Sequence, residues 1–412
     1  MATTFLPGAT VKGYKIIGRP LSKGVNANAY KAQNAAGEYV FLKQYKSPSV
    51  KVGWYKKYIN YQKEIKTRIE SSPAVSNQTY RFLDFFEFEE SPKLFCYCQA
   101  FEFVSGGCDL AEHLRNPKIT WNQRLTFAKL LMMGIRSLHS VKIVHSDLKP
   151  ENLYLIPDAE IKTGYRFKVI DFDVSLLSDV TAPWNGIQGY AGTPGYLSPE
   201  HLNSGEIPNE TSDVFTCGII LCELLCKGGN PYSYEDEDEY KEQVLGHRVP
   251  PLSLLDTTGN PNTDIQIEEI IFASLSPDPV NRPSVAEIHE VLKGKITTSG
   301  GRKVRPVPTN CCLILEAPNK TQVKFNITTE VGRSILSSFG EDIRFLSSPQ
   351  FILSKEEDSW LISPVKETCN ATILNGALLT EPTRLNLNDE ITVGNIEKEI
   401  FKMPIRVLWE KK

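Results

Sequence analysis

No stretch of this sequence is apolar for long enough to cross a bilayer. The longest, Val214 to Cys226, is broken by Glu223 and falls short of the roughly 20 residues that a spanning helix needs. No membrane segment is therefore expected. Neither sign of charge is in excess: 46 Lys and Arg stand against 49 Asp and Glu, a net charge of −3, so no global field draws nucleic acid or an anionic membrane. Nine cysteines are present, but none has the Cys-x-x-Cys spacing of a zinc site, and they read as reduced core thiols. The first residues lack the basic start and apolar run of a signal peptide, and Ala2 occupies the position where myristoylation needs glycine. The expected location is the cytoplasm. No internal repeat or low-complexity array interrupts the chain.

A chain of 412 residues has room for two domains, each with its own core. From Tyr14 to Tyr45, β-branched and aromatic runs broken by Gly18, Gly24 and Gly37 predict three short antiparallel strands. Between Val52 and Glu70, Ile59, Gln62, Ile65 and Ile69 recur at helical spacing, with lysines and Arg68 on the other side. Phe82 to Glu102 predicts two more strands. Helical patterns follow over 110–114, 121–139, 213–226, 235–244, 265–273 and 285–292. Strands followed by helices make an α+β domain of two lobes. Residues 294–309, rich in Gly, Pro and Thr, predict a linker. Residues 310–412 predict an all-β sandwich from short strand-like runs, among them Arg344 to Leu346, separated by Gly, Asn, Pro and Ser.

The most specific local pattern is His145-Ser146-Asp147-Leu148-Lys149-Pro150-Glu151-Asn152, followed by Asp171-Phe172. Taking each residue type at about 5%, a chance match to His-x-Asp-x-Lys-x-x-Asn in a chain this long is on the order of one in a few hundred. Carboxylate and amide oxygens are the hard donors that Mg²⁺ accepts, and a lysine nearby offsets phosphate charge.

Together with Lys43 in Val40-Phe-Leu-Lys43 and the segment Gly192 to Glu200, this run resembles the protein kinase family over roughly residues 12–293, with lobes of about 12–104 and 105–293. The resemblance implies a bilobal kinase fold and ATP-dependent transfer of the γ-phosphate to serine and threonine hydroxyls of protein substrates. It assigns Asp147 and Lys149 to catalysis and Asn152 and Asp171 to Mg²⁺. Lys43 would grip the α and β phosphates and pair with Glu64 on the following helix, with Glu70 as the alternative. Ser22 and Gly24 would approach the phosphates, the backbone of Glu102 to Val104 would meet adenine beside Phe101, and Asp109 would reach the ribose. Thr193 belongs to the substrate loop. Asp213, Glu200 and Arg282 would be structural.

Three departures from the family pattern stand out. The phosphate loop keeps only Gly24 of three glycines, Ser146 replaces an arginine that docks a phosphorylated loop, and Asp173 replaces the glycine after Asp171-Phe172. A pseudokinase scaffold that binds nucleotide without transfer is the alternative reading. The run Glu235 to Glu239 is a solvated face or a selector of basic acceptor sites.

Residues 310–412 resemble a forkhead-associated domain, a β-sandwich that reads phosphothreonine. The resemblance rests on Gly332-Arg333, on Ser348, and on Asn370 with the turn Asn375-Gly376. It implies phosphopeptide binding by Arg333, Ser348 and Asn370, and partners that carry phosphothreonine. Phe351 takes the place of the family's supporting histidine.

Overall fold

The computed structural model describes residues 4–23, 27–46, 51–91, 94–187, 189–250, 252–294, 311–355, 360–366, 368–375, 377–386, 389–395 and 400–411. The chain divides into two compact units, Met1–Thr297 and Thr298–Lys412. All but the first residue of the expected linker, and Gly24, lie outside the described residues.

The first unit opens with a seven-stranded antiparallel sheet. Its strands are β1 (Thr10–Val11), β2 (Tyr14–Ile16), β3 (Ser22–Lys23), β4 (Ala27–Gln33), β5 (Tyr39–Tyr45), β6 (Phe82–Ser91) and β7 (Leu94–Glu102), in the order β1-β2-β4-β5-β7-β6 with β3 on β4. Between β5 and β6 run helix α1 (Tyr55–Glu70) and the short α2 (Pro73–Ser76). Helix α1 is amphipathic: Tyr58, Tyr61, Gln62, Ile65 and Ile69 are buried, while Lys56, Lys57, Lys63 and Glu64 are exposed. One face of the sheet closes over a small core that includes Phe5, Ile16, Tyr30 and Leu42, and Ile65 and Ile69 belong to the large core that continues into the helical lobe.

That lobe begins with β8 (Cys108–Asp109), α3 (Leu110–Arg115) and α4 (Trp121–Ser140). Thr120 and Gln123 form a reciprocal capping box that starts α4. Then come β9 (Ile143–Val144), the hairpin β10 (Leu153–Pro157) and β11 (Tyr165–Val169), and β12 (Leu176–Leu177), which pairs with β9. Helices α5 (Pro199–Leu202), α6 (Glu210–Leu225), α7 (Glu237–Leu245), α8 (Pro261–Ser274) and α9 (Val285–Leu292) complete the unit. Helix α6 is apolar nearly all round and is buried along most of its length. Among the described residues no helix is long and apolar enough to cross a membrane.

The second unit is strand-rich. Strands β13 (Cys311–Glu316), β14 (Gln322–Phe325), β15 (Thr329–Val331), β16 (Phe351–Lys355), β17 (Trp360–Pro364), β18 (Ala371–Leu374), β19 (Ala377–Leu378), β20 (Thr383–Arg384), β21 (Glu390–Asn395) and β22 (Ile400–Lys411) form two antiparallel sheets. Their orders are β14-β13-β22-β21-β18-β19 and β15-β16-β17-β20, and residues of both share one core around Phe351 and Trp360. Arg344 to Leu346, expected as a strand, instead forms the end and the cap of a 3-10 turn over Glu341–Phe345. The carbonyls of Arg344, Phe345 and Leu346 accept from the side chains of Arg333 and Asn370, so side chains take the place of a neighbouring strand.

Arg282 fastens the helical lobe. Its guanidinium meets Glu200 through two bonds, Nη2 to Oε1 at 2.7 Å and Nη1 to Oε2 at 3.1 Å, and it also donates to the carbonyls of Ser276, Thr211 and Pro277. Burial works against ionisation of Glu200, yet Arg282 holds its carboxyl below the ordinary range. Removing one partner of such a pair strands the other charge in the interior, so Arg282→Ala is expected to lower the unfolding free energy by about 3–5 kcal/mol. Arg282→Lys should recover little, because an ammonium cannot span both oxygens. Urea unfolding of the two variants measures this, and a loss below about 1 kcal/mol in Arg282→Ala would contradict the assignment.

Candidate active site

The segment after β9 is held by one carboxylate. Asp213, near the start of α6, accepts the backbone N–H of His145 at 2.8 Å and of Ser146 at 3.0 Å, and the imidazole of His139 at 2.9 Å. Burial raises its pKa, but the His139 contact outweighs this and keeps the carboxyl below its usual value. Ser146 has φ +68°, a left-handed conformation that such bonding must sustain. His145 donates from Nε2 to the carbonyl of Ile170 at 3.0 Å, which ties this segment to Asp171.

Four of the expected residues converge here. Thr193 Oγ1 donates to Asp147 Oδ1 at 2.6 Å, and Lys149 Nζ donates to Thr193 Oγ1 at 2.7 Å and to Asp147 Oδ2 at 3.4 Å. Asn152 donates its amide to the carbonyl of Asp147 at 2.8 Å, which leaves Oδ1 as the amide's acceptor. Its own carbonyl accepts from Ile170 N at 2.9 Å, next to Asp171. A carboxylate on Asp171 and an amide oxygen on Asn152 are hard oxygen donors of the kind that would suit a divalent metal.

Lys43 lies on β5, buried, with Nζ 2.6 Å from Asp171 and 2.8 Å from Asp173. Burial alone would lower its pKa; the two carboxylates reverse this and push it up. The expected partner Glu64 is not there. Glu64 is exposed and pairs with Arg68 at 3.0 Å, and the alternative Glu70 pairs with Lys66. The reason is helical phase: at about 100° per residue, position 64 points away from the side that carries 58, 62, 65 and 69. The inward polar residue is Gln62, whose amide donates to the carbonyl of Asp173 at 3.2 Å. It was visible in the sequence as the one polar member of the apolar stripe.

Asp173 is the most heavily bonded of the departures. Its carboxylate accepts from Tyr45 at 2.5 Å as well as from Lys43, and its carbonyl accepts from Tyr58 at 3.3 Å. Burial first, and then the charge of Asp171, raises its pKa to about 6, while Lys43 holds Asp171 below the ordinary range against the effect of burial. Trp184, further along the same segment, packs against Trp54, Tyr58 and Tyr61, and Arg68 pairs with Asp179 at 2.6 Å.

Other expected residues have different occupations. Glu102 places Oε1 2.6 Å from Lys168 and donates its N–H to the carbonyl of Arg81, so within Glu102 to Val104 that donor is already taken. Val104 packs on the large core, and Phe101 is buried against Tyr80 and Phe82. Asp109 caps α3 by accepting from Glu112 N at 2.8 Å, a contact that accounts for one of its oxygens. Ser22 is exposed on β3, paired with Ala29.

Sequence reasoning overlooked Glu223, which it read only as an interruption of an apolar run. Glu223 accepts from Tyr196, in the segment Gly192 to Glu200, at 2.8 Å, while its Oε2 is buried with no partner. Burial raises its pKa to about 7, and the nearby charge of Glu151 adds to this. The run Glu235 to Glu239 enters α7 at the surface, with Asp236 as the helix cap.

In the second unit, Arg333, Ser348 and Asn370 stand on segments that meet. Gly332 lies so close that a Cβ there would come within 2.8 Å of the Ser347 carbonyl and 3.0 Å of Ser348 Oγ. Arg333 is exposed and spends Nη2 on the carbonyls of Arg344 and Leu346. Phe351, considered as a replacement for a loop-supporting histidine, is fully buried in the core. The loop support falls to Gln350, also buried, which accepts from Ser347 N and donates to the Asn370 carbonyl and Thr372 Oγ1.

The family model described as "Protein kinase domain" matches residues 15–293. The chain is 31% identical over 208 residues to the "Probable serine/threonine-protein kinase kinX" of Dictyostelium discoideum, covering 50% of this chain and 17% of that protein. It is 26% identical over 279 residues to the CBL-interacting protein kinase 28 of Oryza sativa subsp. japonica, covering 66% and 57%. It is 27% identical over 187 residues to the calcium and calcium/calmodulin-dependent serine/threonine-protein kinase of Pisum sativum, covering 45% and 33%. The chain thus spans less than two thirds of the length of each of these relatives.

The unpartnered oxygen of Glu223 has a consequence for stability. With a folded pKa of about 7 against an ordinary 4.5, the unfolded chain loses this proton first, so the fold weakens as pH rises between those values and no further above them. The loss is on the order of 3 kcal/mol. Glu223→Gln is expected to melt roughly 5 °C above the parent at pH 8 and level with it at pH 4.5. Calorimetry at the two pH values decides it, and an equal offset at both would refute the ionisation account.

Proposed function

The chain belongs to the protein kinase family, and on that premise we propose that it transfers the γ-phosphate of ATP, with Mg²⁺, to serine and threonine hydroxyls of proteins. The carrying observation is the cluster of Asp147, Lys149, Thr193 and Asn152, joined through Ile170 to Asp171. Asp147 orients the acceptor hydroxyl and takes its proton as the oxygen–phosphorus bond forms and the bond to ADP breaks. Lys149 offsets charge on the moving phosphoryl group. Lys43 grips the α and β phosphates. Asn152 and Asp171 supply the oxygens for Mg²⁺, which when bound neutralises phosphate charge. Thr193, seated on both Asp147 and Lys149, links the peptide loop to the reacting centre and favours a protein acceptor over a small molecule. Eight of the nine cysteines are free thiols, in keeping with a cytoplasmic setting where ATP is also at hand.

For the second unit the reading is phosphothreonine recognition by a forkhead-associated-like surface. Arg333, Ser348 and Asn370 stand on adjoining segments, and the Nε and Nη1 donors of Arg333 have no protein acceptor among the described residues. A guanidinium with donors to spare suits phosphate. Phosphothreonine-bearing proteins are then partners as well as products.

Incubation with Mg²⁺, labelled ATP and a basic acceptor peptide tests the first reading. A basic peptide is chosen because the acidic run Glu235 to Glu239 is exposed where it enters α7. Asp147→Asn is expected to cut incorporation by about 10²-fold or more. Equal label from both proteins would leave the scaffold reading in its place. For the second unit, a fluorescent phosphothreonine peptide should bind Arg333→Ala about 10-fold more weakly than the parent; unchanged affinity would remove the recruitment role.

A further inference from the structure

Lys43 is buried and carries two carboxylate partners, neither of which comes from helix α1. The inward face of that helix presents Tyr58, Tyr61, Gln62, Ile65 and Ile69, while its glutamates at 64 and 70 are turned outward and paired with its own cations. What joins the helix to Lys43 is Asp173. Gln62 and Tyr58 donate to its carbonyl, and Lys43 and Tyr45 donate to its carboxylate. Both faces of one residue are thereby used, the backbone by the helix and the side chain by the strand.

Asp171 and Asp173 are not equivalent in this arrangement. Asp171 is the residue whose oxygens a nucleotide-bound metal requires, so its contact with Lys43 competes with another duty. Asp173 is the carboxylate left to orient the ammonium once nucleotide arrives. Its backbone has no positive φ, unlike Asp171 at +70°, so this position does not need the glycine found in relatives of the usual pattern. The segment carrying Asp173 is further fastened to α1 by Trp184 and by the Arg68–Asp179 pair.

We propose that Asp173 is the positioning residue for Lys43, delivering from the segment after Asp171 the carboxylate that helix α1 does not supply. The inference rests on the kinase reading for the identity of the ligand that Lys43 grips. It also implies that the helix position able to take over the task is Gln62 rather than Glu64, because Gln62 already reaches the same residue while Glu64 is turned outward onto Arg68.

The test uses the full chain with a fluorescent ATP analogue for binding and the labelled-ATP assay for kcat and KM. Asp173→Gly and Asp173→Asn are each expected to weaken analogue binding about 10- to 100-fold and to raise the KM for ATP by a similar factor, the effect of losing a charge-assisted bond in a buried site. Adding Gln62→Glu to Asp173→Gly should restore binding to within about 3-fold, since the carboxylate then comes from the helix. Glu64→Gln should stay within about 2-fold of the parent. Asp173→Asn keeps the shape of the side chain, so it decides the matter should the glycine variant not fold by circular dichroism. Parental binding in Asp173→Asn overturns the proposal, and so does a folded double variant with no recovery. A parent that binds the analogue without transferring phosphate refutes the kinase reading, and the binding comparison still judges Asp173.

Discussion

The geometry of the candidate site depends on a buried carboxylate that never meets substrate. Asp213 takes two successive backbone N–H groups and an imidazole, and that set of bonds is what makes an ionised oxygen pair tolerable inside an apolar helix. The return is conformational. Ser146 stays in a left-handed conformation, the chain turns sharply, and Asp147 emerges facing Thr193. His145 carries the constraint onward to Ile170, so the two segments bearing Asp147 and Asp171 are fixed to one support.

The same turn also holds the segment Gly192 to Glu200 through uncharged side chains. Where relatives of the usual pattern have an arginine, Ser146 bonds His201 at 2.9 Å, and His201 bonds Ser198 at 2.8 Å. Burial lowers the pKa of His201, so the imidazole is neutral and acts as one donor and one acceptor in a short uncharged chain. A guanidinium in that position would demand an anion; a hydroxyl does not. The segment after Asp171 is anchored by aromatic packing of Trp184 on Trp54 and on Tyr58 and Tyr61 of α1, a contact that salt and phosphatases do not affect. Both devices favour a standing arrangement over a phosphate-driven switch.

The parts of this site that were legible in the sequence are those where chemistry dictates spacing along a single segment. His145 to Asn152 is such a segment, since one turn of chain has to present a carboxylate, an ammonium and an amide together. Helical periodicity likewise marked α1 and α4, and a long apolar run marked α6. What sequence could not deliver was a partnership across segments. Glu64 was chosen for Lys43 by residue type, when the deciding quantity was the phase of α1, and phase had already put Gln62 in the buried stripe. Glu223 was hidden for the complementary reason: a lone acid in an apolar helix looks like noise until Tyr196, 27 residues away, is seen bonded to it. In the second unit, Arg344 to Leu346 reads as a strand, but its carbonyls are claimed by side chains from 11 to 25 residues away.

Charge bookkeeping links these observations. One buried lysine faces two partly buried carboxylates, so the region around Lys43, Asp171 and Asp173 has a local excess of negative charge that a further cation or a proton would offset. The elevated pKa of Asp173 expresses this excess within the protein alone. A divalent cation carried in with nucleotide would relieve it, and the phosphates would then meet Lys43 already oriented. A glycine at 173 removes the excess, but it also removes the hydrogen-bonded tie that runs from Lys43 through Asp173 to Tyr58 and Gln62 of helix α1. The extra carboxylate and the missing helix glutamate are therefore one adjustment: with Gln62 on the helix, Asp173 supplies the second carboxylate that holds the lysine beside Asp171.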